Sequence, residues 1–216
     1  APKHQHTVHV IPNFVDSDRI MPRDRMTSYR DELRIGAEPV VMYAGNVGYS
    51  QSLTMMLHAA RQMPEVTFVI NGDGAARAEL ERDAVGLSNI RFSGYQPAER
   101  VAEVLATADV HVVPLRAGLG AVSVPSKTYS ILAAGRPVVA AIDAGTEVTR
   151  ILADSGAGVS VAPDDPIAFT DALRAMVNSG SAATEAGACG RLWVESHVSP
   201  ARVAHSYLDV IASLGV

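Results

Sequence analysis

The 216-residue sequence has one cysteine, few aromatic residues and no excess of positive charge. The single cysteine, Cys189, excludes an intrachain disulfide framework and a cysteine-rich zinc site, so we expect a reducing, cytoplasmic compartment. Aromatic residues make up 5% of the chain, which argues against a large aromatic platform for carbohydrate. A net charge of -5, without a stretch rich in Lys or Arg, argues against nucleic acid as a partner.

Long apolar runs are missing as well. No run reaches the ~18 residues that a membrane-spanning helix needs, and the first ten residues lack the apolar stretch of a signal peptide. We therefore expect a water-soluble chain. It opens on Ala1 and soon reaches a predicted strand, which fits either a removed methionine or a portion of a longer protein, and we favour the second.

Apolar residues make up 48% of the chain, and many of them lie in short runs that predict strands. Runs such as VVMYAG and VHVVPL are almost uninterrupted, which is typical of parallel strands covered on both faces. The predicted strands are 7–11, 39–44, 66–71, 90–93, 110–114, 137–141 and 158–162. The predicted helices are 23–35, 50–62, 75–86, 97–107, 125–134, 145–155, 165–178, 181–196 and 200–213. This alternation predicts an α/β fold with a doubly wound parallel sheet.

In such a sheet, ligands bind beyond the carboxyl ends of the strands, where loops enter helices. The loop after the strand 39–44 contains Gly45, Asn46 and Gly48. The two glycines allow either a tight turn or a close approach of the backbone to a phosphate, and the pattern alone does not decide between them. A later loop contains Gly94 and Tyr95, which are placed to lie beside a nucleobase.

The segment 118–127, GLGAVSVPSK, is the most informative loop. A glycine-rich stretch leads into Pro125, a favoured first residue of a helix, and Ser126 and Lys127 follow. The chain has sixteen Arg but only two Lys, so a lysine here suits a demand for a compact ammonium. A bound phosphate is our preferred interpretation, and a solvated lysine on the first turn is the alternative.

Histidines offer a weaker signal. His4, His6 and His9 have the spacing of metal ligands on a strand, but no acidic or cysteine partner is near them in sequence, so solvated histidines are the better interpretation. His111 lies within a predicted strand, and we expect it to be a buried, hydrogen-bonded histidine of the core.

Five segments in order carry a resemblance to a known family: VIPNFVD, YAGNVGYSQSL, INGDGAARAEL, FSGYQP and VPSKTYSILAAGRPVVA. Together they resemble the C-terminal, donor-binding domain of GT-B glycosyltransferases, in particular the retaining enzymes of family four (group 1). The AGN and PSK pieces are most similar to the branch that transfers N-acetyl-L-fucosamine or related sugars in cell-surface polysaccharide assembly.

The resemblance implies a Rossmann-like domain over 23–216, preceded by an interdomain junction strand and linker over 1–22. It also implies a UDP- or GDP-sugar as substrate, no cofactor and no metal. The acceptor would bind an N-terminal domain outside this sequence, which would carry any peripheral contact with the inner membrane face or with a lipid-linked acceptor. We expect the chain by itself to bind donor without transferring sugar.

The same resemblance assigns roles to individual residues. Ser126 and Lys127 would contact the diphosphate, and Lys127 would be the catalytic cation that stabilises the departing nucleoside diphosphate. Gly45, Asn46 and Gly48 would close over the diphosphate, and Tyr95 would lie beside the base.

The sequence departs from the family at several positions. Ser130 stands where many relatives carry a Glu that touches the donor ribose, and because it keeps a hydroxyl we expect it to bind the donor there. Val122 stands at the other position of the usual acidic pair. Asn46 and Gln51 replace the Arg and Lys of many relatives. Glu147 matches an acidic family position and equally suits the start of a helix.

Two other functions remain open at this point. One is a nucleotide-sugar epimerase of the same architecture, although its acid and base are not visible in the sequence. The other is a nucleotide-binding or interaction module without catalysis, which the missing ribose Glu favours.

Overall fold

In the computed structural model, which describes residues 8–120 and 125–213, six parallel strands form one sheet in the order β3-β2-β1-β4-β5-β6. The strands are β1 Val40–Ala44, β2 Thr67–Asn71, β3 Ile90–Ser93, β4 Val110–Pro114, β5 Val138–Ala141 and β6 Gly158–Val161. Every residue of β2, β4 and β5 is buried, because helices cover both faces of the sheet. The predicted doubly wound parallel sheet is therefore confirmed.

Helices alternate with the strands as predicted, one helix precedes the first strand, and three helices follow the last strand. The helices are α1 Ser28–Glu32, α2 Thr54–Gln62, α3 Arg77–Asp83, α4 Val101–Thr107, α5 Lys127–Ala133, α6 Glu147–Ser155, α7 Pro166–Asn178, α8 Ser181–His197 and α9 Pro200–Ser213. A short 3-10 turn, Ala98–Arg100, precedes α4.

Local sequence explains where several helices begin and end. The Thr27 side chain accepts a hydrogen bond from Arg30 N–H and caps α1, and the Asp165 carboxylate caps α7. Gly156 ends α6 in the left-handed conformation, with φ of 67°. The helix predicted over 23–35 is shorter than expected, because Thr27 starts it late and Arg34 adopts a positive φ of 57° after it.

We predicted a strand over 7–11, of which the structure describes residues 8–11. The prediction is wrong for these residues, which form no strand. Val8 and Val10 are 83% and 89% exposed, and no strand of the described sheet pairs with them. Their apolar pattern therefore has no partner that would bury it. The following segment is docked, since Val15 is buried and its N–H donates to the Val198 carbonyl, 3.1 Å away.

Helix α8 packs on the domain through small residues. A methyl group at Gly187 would lie 2.1 Å from the Gly135 carbonyl oxygen, and one at Gly190 would lie 2.8 Å from the Leu132 side chain. Helix α9 follows with Tyr207, Leu208 and Ile211 exposed. Over the described residues, no helix is both long and apolar enough to cross a membrane.

Candidate functional site

The candidate site lies where β1 and β4 are neighbours and the chain leaves them in opposite directions. The strand order makes this the topological switch point of the sheet, where loops at the carboxyl ends part and leave a crevice. The loop after β1 contributes Gly45, Asn46 and Gly48. The segment after β4 leads to Ser126 and Lys127 at the start of α5.

The loop after β1 is fixed by the loop after β2. Gly45 N–H donates to the Asn71 carbonyl at 2.9 Å, and Val47 N–H donates to the Asp73 carbonyl at 2.8 Å. A methyl group at Gly72 would lie 1.8 Å from the Gly45 carbonyl oxygen, so only glycine permits this approach. In the described part of the chain, the N–H of exposed Asn46 donates to no residue, which leaves it available to a ligand.

Lys127 reaches back from α5 over the end of β1. Its Nζ lies 3.9 Å from the centroid of the Tyr43 ring, within the range of a cation–π contact. A methyl group at Gly45 would lie 2.6 Å from the same Nζ, so the glycine makes room for the ammonium. Among residues 8–120 and 125–213, no carboxylate lies within the 4.0 Å of an ion pair with Lys127.

Burial changes the acidity of Lys127. Its pKa falls from the usual 10.5 to about 7, because the surrounding protein displaces the water that would solvate the charge. A half-buried ammonium without an acidic partner is costly unless an anion binds beside it. The electrostatics at Lys127 therefore favour an anionic ligand.

A cleft of about 210 Å³ opens in front of the ammonium. Its polar lining comes from Tyr43, Asn46, Gln51, Ser126 and Lys127. The structure thus brings Asn46, Ser126 and Lys127 together, as the sequence predicted. Gly48 does not line this cleft. Its N–H donates to Gln51 Oε1 at 3.1 Å, a hydrogen bond within the loop after β1.

A second cleft of about 160 Å³ includes Gly45, Asn71, Tyr95 and Gln96 in its lining. Tyr95 is 61% exposed, and its hydroxyl donates to the Asp73 carbonyl at 3.1 Å. Because Gly45 lines this cleft and Asn46 lines the first, the two clefts meet at the loop after β1.

Two aspartates that the sequence analysis missed hold the beginning of the loop after β4. Asp164 Oδ2 accepts a hydrogen bond from Ala117 N–H at 3.0 Å. Asp143 Oδ2 accepts from Gly118 N–H at 2.9 Å and from Gly120 N–H at 3.0 Å. Both aspartates come just after a strand, at the ligand-binding edge of the sheet, and this position was the signal that could have found them.

Ser130 is one of the positions at which the sequence departs from the family that it resembles. Ser130 is half-buried on α5 and is absent from the lining of both clefts, so its predicted ribose contact has no support from the cleft geometry. Val122 lies outside the described residues. Glu147, on the first turn of α6, accepts a hydrogen bond from the Tyr129 hydroxyl, which gives this carboxylate a structural partner.

The histidines do not form a metal site in the part of the chain that the structure describes. No group of three potential ligands is found there, His9 is exposed, and His4 and His6 lie outside the described residues. His111 is fully buried, and its Nε2 lies 2.8 Å from the Leu105 carbonyl. Burial lowers the pKa of His111 to about 4, so it is a neutral core histidine at pH 7, as expected.

Comparison with known proteins agrees with this architecture. The family model described as glycosyl transferases group 1 matches residues 38–179. The chain belongs to this family. Its sequence is 32% identical over 134 residues to the probable glycosyltransferase WbjE of Pseudomonas aeruginosa, an alignment that covers 60% of this chain and 34% of WbjE.

A second relative extends the match. The chain is 31% identical over 179 residues to the GDP-mannose-dependent α-(1-6)-phosphatidylinositol dimannoside mannosyltransferase of Mycobacterium tuberculosis. That alignment covers 78% of this chain and 43% of the mannosyltransferase. This group 1 glycosyltransferase chain therefore spans less than half of the length of the curated relatives it matches.

Solved structures show the same fold. The structure of Anabaena Alr3699/HepE in complex with UDP-glucose superposes with a TM-score of 0.82 over 95% of this chain and 57% of that one, at 16% identity. At this identity the likeness establishes the fold alone. The Rossmann-like fold is confirmed and matches GT-B glycosyltransferases, whereas the roles predicted for Gly45, Asn46, Tyr95, Lys127 and Ser130 stay predictions.

Proposed function

We propose that this domain binds the nucleoside-diphosphate sugar donor of a group 1 glycosyltransferase in the crevice between β1 and β4. The diphosphate lies against the Lys127 ammonium and the Asn46 N–H. The base lies in the cleft beside Tyr95. In this arrangement Lys127 also stabilises the negative charge that builds up on the departing nucleoside diphosphate.

One observation carries the proposal: the half-buried Lys127 ammonium faces a cleft and has no carboxylate partner in the described part of the chain. A diphosphate supplies the missing negative charge. The free Asn46 N–H supplies a hydrogen-bond donor beside it, and the second cleft continues on the other side of the same loop.

The finer assignment rests on the family. Retaining transfer, from a UDP- or GDP-activated hexose or amino sugar, in cell-surface polysaccharide or glycolipid synthesis fits the resemblance of the AGN and PSK segments. It also fits a relative named for its use of GDP-mannose and a solved structure that contains UDP-glucose. N-acetyl-L-fucosamine or a related sugar is the transferred group that we favour.

The acceptor belongs to a second domain in this proposal. Because the chain spans less than half of its curated relatives, we expect the other half of the cleft to lie outside this sequence. Holding an acceptor in a reactive orientation is worth ~7–11 kcal/mol, which a donor site alone does not supply. Residues 1–216 should therefore bind nucleotide without transferring sugar from a radiolabelled donor to lipid acceptors.

Calorimetric titration with UDP and with GDP tests the site. Replacing the ammonium by a neutral chain of similar length, Lys127→Met, should weaken nucleotide binding roughly ten- to a hundredfold, the value of one charge-assisted contact. Lys127→Arg should retain part of the affinity because the charge remains. The matched control is Arg82→Met, which removes an exposed cation on α3, away from both clefts. Equal affinities of Lys127→Met and Arg82→Met would refute the site.

A further inference from the structure

Tyr43 touches both sides of the candidate site, although it belongs to the core of the sheet. It is the fourth residue of β1, is fully buried, and packs among the apolar side chains beneath α2 and α7. Its hydroxyl donates to the Asn46 carbonyl at 2.5 Å. One end of this side chain therefore fixes the loop after β1.

The Lys127 ammonium lies over the face of the same ring. The ammonium lies 3.9 Å from the ring centroid, and no carboxylate in the described residues competes for it. A lysine side chain has four rotatable bonds, so an ammonium without a partner samples many positions. The negative face of the Tyr43 ring selects the one that faces the cleft.

We propose that Tyr43 is the positioning residue of this site, holding the Lys127 ammonium and the Asn46 backbone in register for one diphosphate. The inference rests on the proposed donor site at Lys127. Through these two contacts, the buried Tyr43 side chain connects the loop after β1 to the first residue of α5. The close approach requires Gly45, since a methyl group there would lie 2.6 Å from Nζ.

A double-mutant cycle tests whether Tyr43 acts through Lys127. Tyr43→Leu removes the ring face and should weaken UDP binding about two- to thirtyfold, the range expected for a cation–π contact. In the Lys127→Met background the same change should cost clearly less, because the ammonium that the ring positions is gone and only the hydroxyl contact with Asn46 remains to be lost. Equal losses in both backgrounds would overturn the inference.

Two further variants separate positioning from core packing. Tyr43→Phe keeps the ring and should retain most of the coupling to Lys127, losing only the hydroxyl contact with Asn46. Phe68→Leu removes a fully buried ring from the same core on the neighbouring strand β2. It should lower the stability to heat while leaving UDP affinity unchanged. A loss of affinity in Phe68→Leu equal to that in Tyr43→Leu would assign the effect to packing and contradict the inference.

A spectroscopic measurement tests the contact between Lys127 and Tyr43 without any nucleotide. The chain has only two lysines, Lys3 and Lys127, so lysine-selective isotope labelling gives a simple spectrum. The ring current of Tyr43 should place the Lys127 Cε protons of the folded chain upfield from their position in the chain unfolded by urea. If Lys127→Met binds UDP like the unmodified chain, the donor site is wrong while this signal still decides the Tyr43 contact. Absence of the upfield signal in the folded chain would overturn the contact itself.

Discussion

The Asp143 carboxylate accepts a hydrogen bond from the Gly120 backbone N–H, 3.0 Å away, and so ties the loop after β5 to the loop after β4. The same oxygen also binds the Gly118 N–H. A methyl group at Gly120 would lie 2.6 Å from the Thr146 side chain, so the two loops pack without space for a larger residue. Asp143 therefore holds the beginning of the loop after β4, at Gly118 and Gly120.

Replacing Asp143 should make the beginning of the loop after β4 less ordered. Asp143→Ala leaves two backbone N–H groups without their acceptor, and we expect a loss of about 1–3 kcal/mol in the free energy of unfolding. Amide hydrogen exchange of Gly118 and Gly120 should accelerate, because the beginning of the loop after β4 opens more often.

The control for charge is Asp154→Ala on the exposed side of α6, where the carboxylate makes no hydrogen bond with the described residues. It removes the same charge and should leave exchange at Gly118 and Gly120 unchanged. Unaltered exchange in Asp143→Ala would show that other contacts hold the loop.

Gly72 and Gly86 provide a second matched pair. Both have positive φ, 146° and 91°, but a methyl group at Gly72 would strike the Gly45 carbonyl oxygen, whereas one at Gly86 meets nothing within 4 Å. Gly86→Ala should cost about 1 kcal/mol from backbone strain alone. Gly72→Ala should cost more, on the order of 3 kcal/mol or above, and should also weaken UDP binding because the Gly45 loop must move. Urea denaturation measures both, and equal losses would contradict the close approach.

The strands and helices were largely predictable because their signals are local. A run such as 110–114 is apolar because helices cover both faces of the strand. This pattern is visible in the sequence whichever strands lie beside it. The run 7–11 shows the limit of this argument. Its residues are as apolar as those of a strand, but a strand also needs a partner to pair with, and residues 8–11 have none in the described sheet. A pattern of five residues does not show whether a partner strand exists.

The site was predictable to the level of its loops and not to the level of its contacts. Glycine spacing identified the loop at Gly45, and the scarcity of lysine, with two Lys against sixteen Arg, singled out Lys127. The sequence did not indicate that Lys127 lies on the ring of Tyr43, because Tyr43 is one apolar residue among several in a buried strand. Asp143 was missed for a related reason: its partners are backbone N–H groups, which carry no sequence signal, so only its position after the strand 137–141 pointed to it.

The depressed pKa of Lys127 makes a directional prediction for nucleotide binding. Burial lowers this pKa to about 7, so the free protein loses the ammonium charge as the pH rises through and above 7. Binding a diphosphate favours the charged form, and above pH 7 the protein must therefore take up a proton when UDP binds. UDP affinity should fall up to about tenfold over the pH unit between 7.5 and 8.5, below the pH at which the uracil ring begins to ionise. The second ionisation of a phosphate group, with a pKa of about 6, is complete in this range, so the charge of the diphosphate stays constant.

Lys127→Arg is the control for this profile, because a guanidinium stays charged throughout the range and every other titratable group is common to both proteins. Its UDP affinity, measured calorimetrically in buffers of different ionisation enthalpy, should be nearly independent of pH and should show no proton uptake. The unmodified chain should take up close to one proton per UDP near pH 8.5. A flat profile in the unmodified chain would mean that Lys127 remains fully charged and is better solvated than its position over Tyr43 indicates. A slope shared by Lys127→Arg would assign the titration to another group.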